Sequence, residues 1–336
     1  MKKAGIIGAG SWGTALATVL AGKGIDVSIW DIDENHLRSM EEYRENKDYL
    51  PGVPLPENLK IEGSQREALK DADLVLFSAP AQHFREAVSS AKEFIKDGAV
   101  TVNVAKGIER GSLKRMSEIA EEFLDMDRYA VLSGPSHAEE VGRQLPTSVV
   151  VGAKTKATAE YLQKMFMNEV FRVYTSPDIL GIELGGSLKN VIALAAGMAD
   201  GLGYGDNTKA ALITRGIHEI AKLGVKMGGT KESFMGLTGI GDLIVTCASV
   251  HSRNRKAGYL IGQGKTMQEA MDEVKMVVEG VYSTKAAVAL GKKYEVDMPI
   301  IEQVNAILFE GKNAKEAVYD LMMRKGKAEH TAKSWD

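Results

Sequence analysis

The spacing of apolar and polar positions changes about halfway along the chain. From the N-terminus to about residue 175, short apolar runs of strand length alternate with stretches whose apolar residues recur at helical spacing. Ala4 to Ile7, Val27 to Trp30, Leu74 to Phe77, Val100 to Val104, Tyr129 to Leu132, Thr147 to Gly152 and Phe171 to Tyr174 read as strands. Between them, Thr14 to Ala21, a charged stretch after Asp31, Phe84 to Ile95, Leu113 to Leu124 and a segment around Tyr161 read as helices. Phe84, Ala87, Val88, Ala91, Phe94 and Ile95 show the i, i+3, i+4, i+7 stripe of a one-sided helix. This alternation predicts an α/β unit with a mainly parallel, doubly wound sheet. Tyr49-Leu50-Pro51-Gly52-Val53-Pro54-Leu55-Pro56 interrupts it as an extended loop.

After Pro177 no convincing strand pattern remains. Gly181 to Leu202 is apolar nearly all round, which predicts a helix buried inside a second unit. Helices are expected over about Ala210–Leu223, Arg253–Gln263, Val281–Tyr294, Ile300–Glu310 and Ala314–Arg324. Glycine-rich turns such as Gly228-Gly229 and Gly239-Ile240-Gly241-Asp242 separate them, and the polar last ten residues are expected to fray. The boundary falls near residue 180, giving an α/β unit over 1–180 and an all-α unit over 181–336. At 336 residues, two domains are also what length alone predicts.

The chemistry begins at the first strand. Gly8, Gly10 and Gly13 follow Ile6-Ile7 at the spacing that turns tightly, admits a pyrophosphate to the backbone and packs a helix onto a strand. A helix N-terminus then faces the phosphates with free N–H groups. The second strand ends at Asp31, about where a carboxylate is expected on the ribose 2′-hydroxyl. The N-terminal unit is thus read as a Rossmann-type dinucleotide domain, and Asp31 favours NAD over NADP.

Such a unit joined to a helical one suggests a nicotinamide dehydrogenase with substrate between the two. Oxidising an alcohol by hydride transfer also moves the hydroxyl proton, so a base is needed within reach of the substrate oxygen. Lys189, inside the apolar helix and just after Gly185-Gly186-Ser187, is the candidate, with Asn190 beside it. Ser78-Ala79-Pro80, Lys106 and Gly134-Pro135-Ser136 all follow strand ends, where doubly wound sheets bind ligands. Lys106 would depress the Lys189 pKa there. Ser252-Arg253-Asn254-Arg255-Lys256 opens a helix with a serine cap and clustered positive charge, which suits a phosphate or an ordinary solvated helix start. Asp242 reads as a group orienting Lys189 or a substrate hydroxyl, or as a helix cap. Val277-Val278-Glu279-Gly280 reads as a helix N-terminus.

Composition narrows the partners. With 42 basic and 45 acidic residues the net charge is −3, which gives no basic field for nucleic acid. No apolar run reaches the roughly 18 residues of a membrane span. A lone cysteine, Cys247, excludes internal disulfides, reads as a core residue and fits a reducing, cytoplasmic setting. Six scattered histidines show no ligand spacing, so no metal is expected.

Taken in order, Gly-Ala-Gly-Ser-Trp-Gly (8–13), Tyr-Leu-Pro-Gly-Val (49–53), Ala-Lys-Gly-Ile-Glu (105–109), Leu-Ser-Gly-Pro-Ser-His-Ala-Glu-Glu (132–140), Leu-Lys-Asn-Val-Ile-Ala (188–193), Gly-Ile-Gly-Asp-Leu (239–243), Ser-Arg-Asn-Arg (252–255) and Val-Val-Glu-Gly (277–280) closely resemble bacterial NAD(P)-dependent glycerol-3-phosphate dehydrogenases. The resemblance spans about residues 4 to 325. It implies reduction of dihydroxyacetone phosphate to sn-glycerol 3-phosphate for phospholipid synthesis, and a helical domain like the C-terminal one of 6-phosphogluconate dehydrogenase. It further implies Lys189 as proton acceptor, and substrate contacts at Lys106, Gly134, Ser136, Asp242, Ser252, Arg253 and Asn254, to which Asn190 is added from its place beside Lys189. Cofactor contacts are implied at Ser11, Trp12, Tyr49, Lys106, Ala138, Arg253, Val277 and Glu279, and the assembly is expected to be a homodimer. Trp30-Asp31-Ile32-Asp33 departs from the family, many of whose members carry Arg or His there to meet the NADP 2′-phosphate.

Two rival readings stand beside this one. Another β-hydroxyacid-type dehydrogenase shares the two-domain plan and a catalytic lysine, but Arg253-Asn254 and Lys106 favour a phosphorylated substrate. A dinucleotide-sensing protein would use the same fold without turnover, and would need neither Lys189 nor Asp242.

Overall fold

The computed structural model describes residues 2–326, 328 and 329, so nearly all of the polar tail lies outside the described residues. Eight strands form one sheet: β1 (Lys3–Ile7), β2 (Asp26–Trp30), β3 (Leu59–Ile61), β4 (Leu74–Phe77), β5 (Val100–Asn103), β6 (Tyr129–Ser133), β7 (Thr147–Ala153) and β8 (Phe171–Ser176). Their order is β3-β2-β1-β4-β5-β6-β7-β8. The chain winds outward from β1 to β3, then crosses back to lay β4 on the other side of β1. The loops after β1 and β4 therefore part at the topological switch point, where such sheets bind ligands. β1, β4, β5 and β6 are almost wholly buried, with helices on both faces, so they read as continuous apolar runs.

Two local expectations are corrected. β7 pairs antiparallel with β6, and only the other neighbours are parallel. The link between them is spent on a loop and the five-residue helix Ala138–Gly142, which offer no crossover across the sheet. The predicted Leu113–Leu124 helix shrinks to Met116–Ala120, because Leu113 adopts a left-handed φ of 59° and cannot continue a helix. The short strand β3 pairs with β2 without having been predicted.

Beyond Ile179 the described residues are helical. The helix Ile179–Gly201 is the axis of this part, and it is long and apolar enough to cross a membrane. That corrects the expectation that no segment is, but 89% of its apolar window is buried inside the protein. Its first turn is capped by Asp178, whose carboxylate also accepts from Thr230 and Ser233. Glu183, on the same helix, accepts from the Ser117 amide and hydroxyl (2.7 and 2.6 Å) and from Arg115. A carboxylate thus fastens the β5–β6 connection to the helical part.

The helix Arg253–Gly262 lies against it more closely than ordinary side chains allow. A Cβ at Gly197 would stand 2.0 Å from the Arg255 carbonyl oxygen, and one at Gly258 would stand 2.1 Å from that of Leu194. Gly201 and Gly262 repeat the arrangement one turn on. The two backbones touch through matched glycine faces, which brings the start of one helix beside the middle of the other. In an open helix, Gly→Ala would stabilise by up to about 1 kcal/mol. Here the clash reverses the sign: Gly258→Ala should cost about 1–3 kcal/mol in urea denaturation. A more stable variant would show that the helices do not pack this tightly.

Candidate active site

The glycine loop forms as its spacing predicts. Gly8 takes a φ of +106°, and a Cβ there would meet the Ser78 carbonyl carbon at 2.8 Å. A Cβ at Gly13 would lie 2.1 Å from the Gly8 oxygen, so only glycine lets the helix Ser11–Ala21 sit down on β1. At Gly10 the space is open, and this N-cap residue has no side-chain cap. The first-turn amides, Ser11 and Trp12 among them, are left for a ligand.

Asp31 is turned toward this loop. Its Oδ2 accepts from the Ala9 amide at 2.7 Å, and the Ala9 oxygen receives Asn46 Nδ2 at 2.8 Å and meets His36 Nε2 at 3.1 Å. Tyr49 packs edge-on to His36. Its phenol is pushed up by burial and by the charges of Asp31, Asp33 and Asp48, so the end of β2 is an acidic patch. The nearby cations are engaged elsewhere: Lys47 sits over the Tyr43 ring, and Arg44 donates to the Pro56 and Leu59 oxygens.

A second group gathers at the carboxyl ends of β5 and β6. The Asn103 side chain bonds both the amide and the oxygen of Ala105, shaping the loop that presents Lys106. Lys106 Nζ reaches the Gly134 oxygen at 3.0 Å and Asp242 Oδ2 at 2.7 Å. Ser136 Oγ donates to the same Gly134 oxygen at 2.9 Å. Gly134 itself has a φ of +144° and lies against the β7 backbone.

Opposite stands Lys189, 6% exposed, donating to Asp242 Oδ1 and to Thr246 Oγ1 (2.6 Å). Gly186 keeps the helix close here, since a Cβ would come within 2.9 Å of Ser133 Oγ. Asp242 therefore lies between two ammonium groups while being almost wholly buried. Burial pushes its carboxyl up, but the two cations outweigh that and hold it below its ordinary value. Burial lowers Lys189 to about 8; Asp242 opposes that shift and Lys106 adds to it.

The Gly239-Ile240-Gly241-Asp242 stretch, expected as a turn, is a π-helical turn (Leu237–Gly241) running straight into the helix Asp242–Ala248. Asp242 is thus the first residue of that helix, and Thr246 lies one turn later, donating to the Asp242 carbonyl at 2.6 Å. Thr246 had no signal beyond its i+4 spacing from Asp242 on a helix that was itself not predicted. Cys247 is core, as expected, its thiol pushed up to about 12 by burial.

The basic cluster at Ser252 divides. Ser252 Oγ caps the helix by accepting from the Arg255 amide. Arg255 turns away and clasps Asp200 (2.8 and 2.7 Å). Asn254 bridges inward, donating to Asn190 Oδ1 at 3.0 Å and accepting from the Gly280 amide at 2.8 Å. Arg253 is left exposed, with Glu279 and Glu139 the acidic groups acting on it.

Glu279 reaches back to the sheet. One oxygen accepts from the Ala81 amide at 3.4 Å, just beyond β4, and the other lies beside Gly107 without a hydrogen-bond partner. Burial raises its pKa to about 7. Trp12 Nε1 is likewise buried and unpartnered. These orphaned polar atoms and the open space at Gly10 fit a bound dinucleotide. Ala138 is buried at the start of its helix, against the core near Val53 and Leu50 through Gly142. Val277 stands exposed and joins none of these groups. No cluster of histidine, cysteine or acidic residues suited to a metal occurs among the described residues. A separate cavity of about 420 Å³ lies at the opposite, amino-terminal edge of the sheet, among Lys2, Asp73, Arg128 and Tyr161, and shares no residue with this site.

Comparisons with known proteins show the family. Models of the NAD-dependent glycerol-3-phosphate dehydrogenase N-terminus and C-terminus match residues 3–159 and 178–319. A glycerol-3-phosphate dehydrogenase (NAD(P)+) of Agathobacter rectalis is 60% identical over 335 residues, covering 100% of both chains. Its counterpart in Bacillus subtilis is 54% identical, over 96% of this chain and 95% of that one. A solved structure of glycerol-3-phosphate dehydrogenase from Coxiella burnetii matches with a TM-score of 0.93 at 38% identity, covering 96% of this chain and 99% of its own.

Because one carboxylate holds both ammoniums, Asp242→Asn should cost about 3–5 kcal/mol of stability at neutral pH. With the counter-charge gone, the Lys189 pKa falls further. The cost relative to wild type should therefore be greatest at low pH, where both lysines are charged, and shrink as pH rises and Lys189 becomes neutral. Denaturant titrations at pH 6 and pH 9 read this directly, and a cost independent of pH would contradict it.

Proposed function

The chain belongs to the NAD-dependent glycerol-3-phosphate dehydrogenase family, and from that premise we infer that it interconverts dihydroxyacetone phosphate and glycerol 3-phosphate with Lys189 as the proton-transferring group. It is an oxidoreductase that uses NAD or NADP. The observation that carries the assignment of Lys189 is its buried ammonium, held by Asp242 and Thr246 opposite Lys106.

We propose that residues 1–180 hold the dinucleotide and residues 181–336 hold and turn over the substrate. The Gly8–Gly13 loop with Ser11 and Trp12 would take the pyrophosphate, Asp31 and Tyr49 the adenosine end, and Ala138, Val277 and Glu279 further parts. The dinucleotide, when bound, supplies or accepts the hydride at C2. In reduction, the Lys189 ammonium gives its proton to the C2 oxygen as that oxygen gains charge. In oxidation, the neutral amine takes the hydroxyl proton. Lys106 keeps Lys189 able to lose its proton near neutrality, and Asp242 orients both. Arg253, which unlike Arg255 is not tied to Asp200, takes the phosphate through its planar fork, with Ser252, Asn254 and Asn190 building the wall behind it. Gly134 and Ser136 form the remaining side. Product glycerol 3-phosphate would serve phospholipid synthesis in the cytoplasm.

A β-hydroxyacid-type dehydrogenase would share the fold, but Arg253 and Lys106 support a phosphorylated substrate. Turnover of NADH with dihydroxyacetone phosphate tests the activity itself. Lys189→Met should bind NADH normally, as followed by its fluorescence, while turnover falls at least about a hundredfold. In the wild type, oxidation should rise with pH up to about 8 and reduction should fall above it, following the Lys189 proton. A methionine variant retaining more than roughly a tenth of wild-type turnover would move the base elsewhere, Lys106 being next to test.

The acidic end of β2 bears on cofactor choice. A carboxylate there accepts from a 2′-hydroxyl and repels a 2′-phosphate. NADH should therefore serve at least as well as NADPH in steady-state comparison. A preference for NADPH of about tenfold or more, some 1.4 kcal/mol, would refute this reading of Asp31.

A further inference from the structure

The substrate carries three polar groups, and the roles above engage only two of them. Lys189, with Lys106 and Asp242 around it, addresses the C2 oxygen, and Arg253 addresses the phosphate. The primary hydroxyl at C1 is left.

His137 is among the side chains of this site that have an unused hydrogen-bonding atom. His137 follows Ser136 in the loop from Gly134 and precedes the helix Ala138–Gly142. Its Nε2 is sealed from solvent and meets no partner. The charges near enough to act on its ring are those of Lys189, Glu139, Asp242 and Lys106, the group of residues assigned above to the C2 oxygen. On its other side it packs against His251, with ring centroids 5.8 Å apart, next to Ser252 and Arg253. The imidazole therefore lies near both the proposed proton-transfer group and the segment that leads into the phosphate arm.

Burial is the main cause lowering the His137 pKa, and the Lys189 and Lys106 ammoniums add to it, so the ring is neutral at working pH. A neutral ring nitrogen offers either an N–H or a lone pair, and a hydroxyl complements both. A buried polar atom left unpaired is costly, so a ligand group that pairs with it gains selectivity over one that cannot. The other orphaned atoms nearby have other places: Trp12 Nε1 belongs to the helix that opens at the glycine loop, Glu279 Oε2 lies beside Gly107, and Ser133 Oγ lies beneath Gly186.

We propose that His137 is the residue that recognises the C1 hydroxyl of the substrate, through its Nε2. The assignment rests on dihydroxyacetone phosphate as substrate, and the test separates the two. Acetol phosphate is the same molecule with that hydroxyl replaced by hydrogen. Wild-type enzyme should prefer dihydroxyacetone phosphate by at least about tenfold in kcat/KM. His137→Phe, which keeps the ring and removes the polar atom, should lose at least about tenfold on dihydroxyacetone phosphate yet stay within about twofold on acetol phosphate. His137→Gln, which puts an amide near the same place, should keep most of the preference. NADH binding, unchanged throughout, reports that each variant is folded; should the phenylalanine variant fail there, His137→Asn, with its amide drawn back, serves the same comparison. A preference that survives removal of the polar atom, or an equal loss on both substrates, overturns the role of His137 alone. Failure of wild type to turn over dihydroxyacetone phosphate overturns the substrate, and this role with it.

Discussion

One buried carboxylate between two ammonium groups is the constraint on which the rest of the site depends. Lys106 comes from the end of a strand and Lys189 from the middle of a helix, and at close range in a poorly solvated junction they repel. Asp242 makes their approach possible. It also joins the sheet to the helical part, because Lys106 reaches it from one side and Lys189 from the other. The hold is supported at each end: Gly134 gives its carbonyl to Lys106, and Thr246 gives its hydroxyl oxygen to Lys189. A buried ion pair is weak support for stability as such, but removing this carboxylate would leave two ammoniums without their counter-charge.

Around this centre, small residues decide what can approach. Matched glycines bring the helix Arg253–Gly262 onto the helix Ile179–Gly201, and the same closeness lets Asn254 reach Asn190. Gly186 and Gly185 do the equivalent on the other side, against Ser133 and the Thr238 carbonyl. The segment carrying Arg253 and the helix carrying Lys189 are thus set relative to each other by backbone contact, which is stiffer than contact through side chains.

Legibility followed the range of the interactions. The loop at Gly8 was readable because strand, turn and helix are consecutive and each glycine answers a local steric demand. Lys189 was readable because a lysine in an apolar helix is out of place unless something receives its charge. The partner was not: Lys106 and Asp242 are 136 residues apart, and only the fold brings them together. Glycines around Asp242 suggested a turn, whereas the chain uses them to pack a π-helical turn against Phe234, and Thr246 was lost with that helix. Of two arginines two residues apart, nothing in the local pattern distinguishes Arg253, which is exposed, from Arg255, which is bound to Asp200. The direction of β7 was equally hidden, since an alternating run reads the same either way.

The hydroxyl of Thr246 has a stereochemical consequence. Its own hydrogen is spent on the Asp242 carbonyl, so toward Lys189 it can only accept, and the Asp242 carboxylate can only accept as well. Two of the three ammonium hydrogens are thereby fixed in direction, and tetrahedral nitrogen leaves the third a single line along which to travel. In the role proposed for Lys189, a planar ketone receiving a proton along that line would have its oxygen lone pair, and hence the plane of its carbonyl, oriented by the protein. With the phosphate at Arg253 as proposed, both ends of that plane are held, and the side on which the nicotinamide lies sets the face that receives hydride. The handedness of the alcohol is then counted out in part in hydrogens on a single nitrogen.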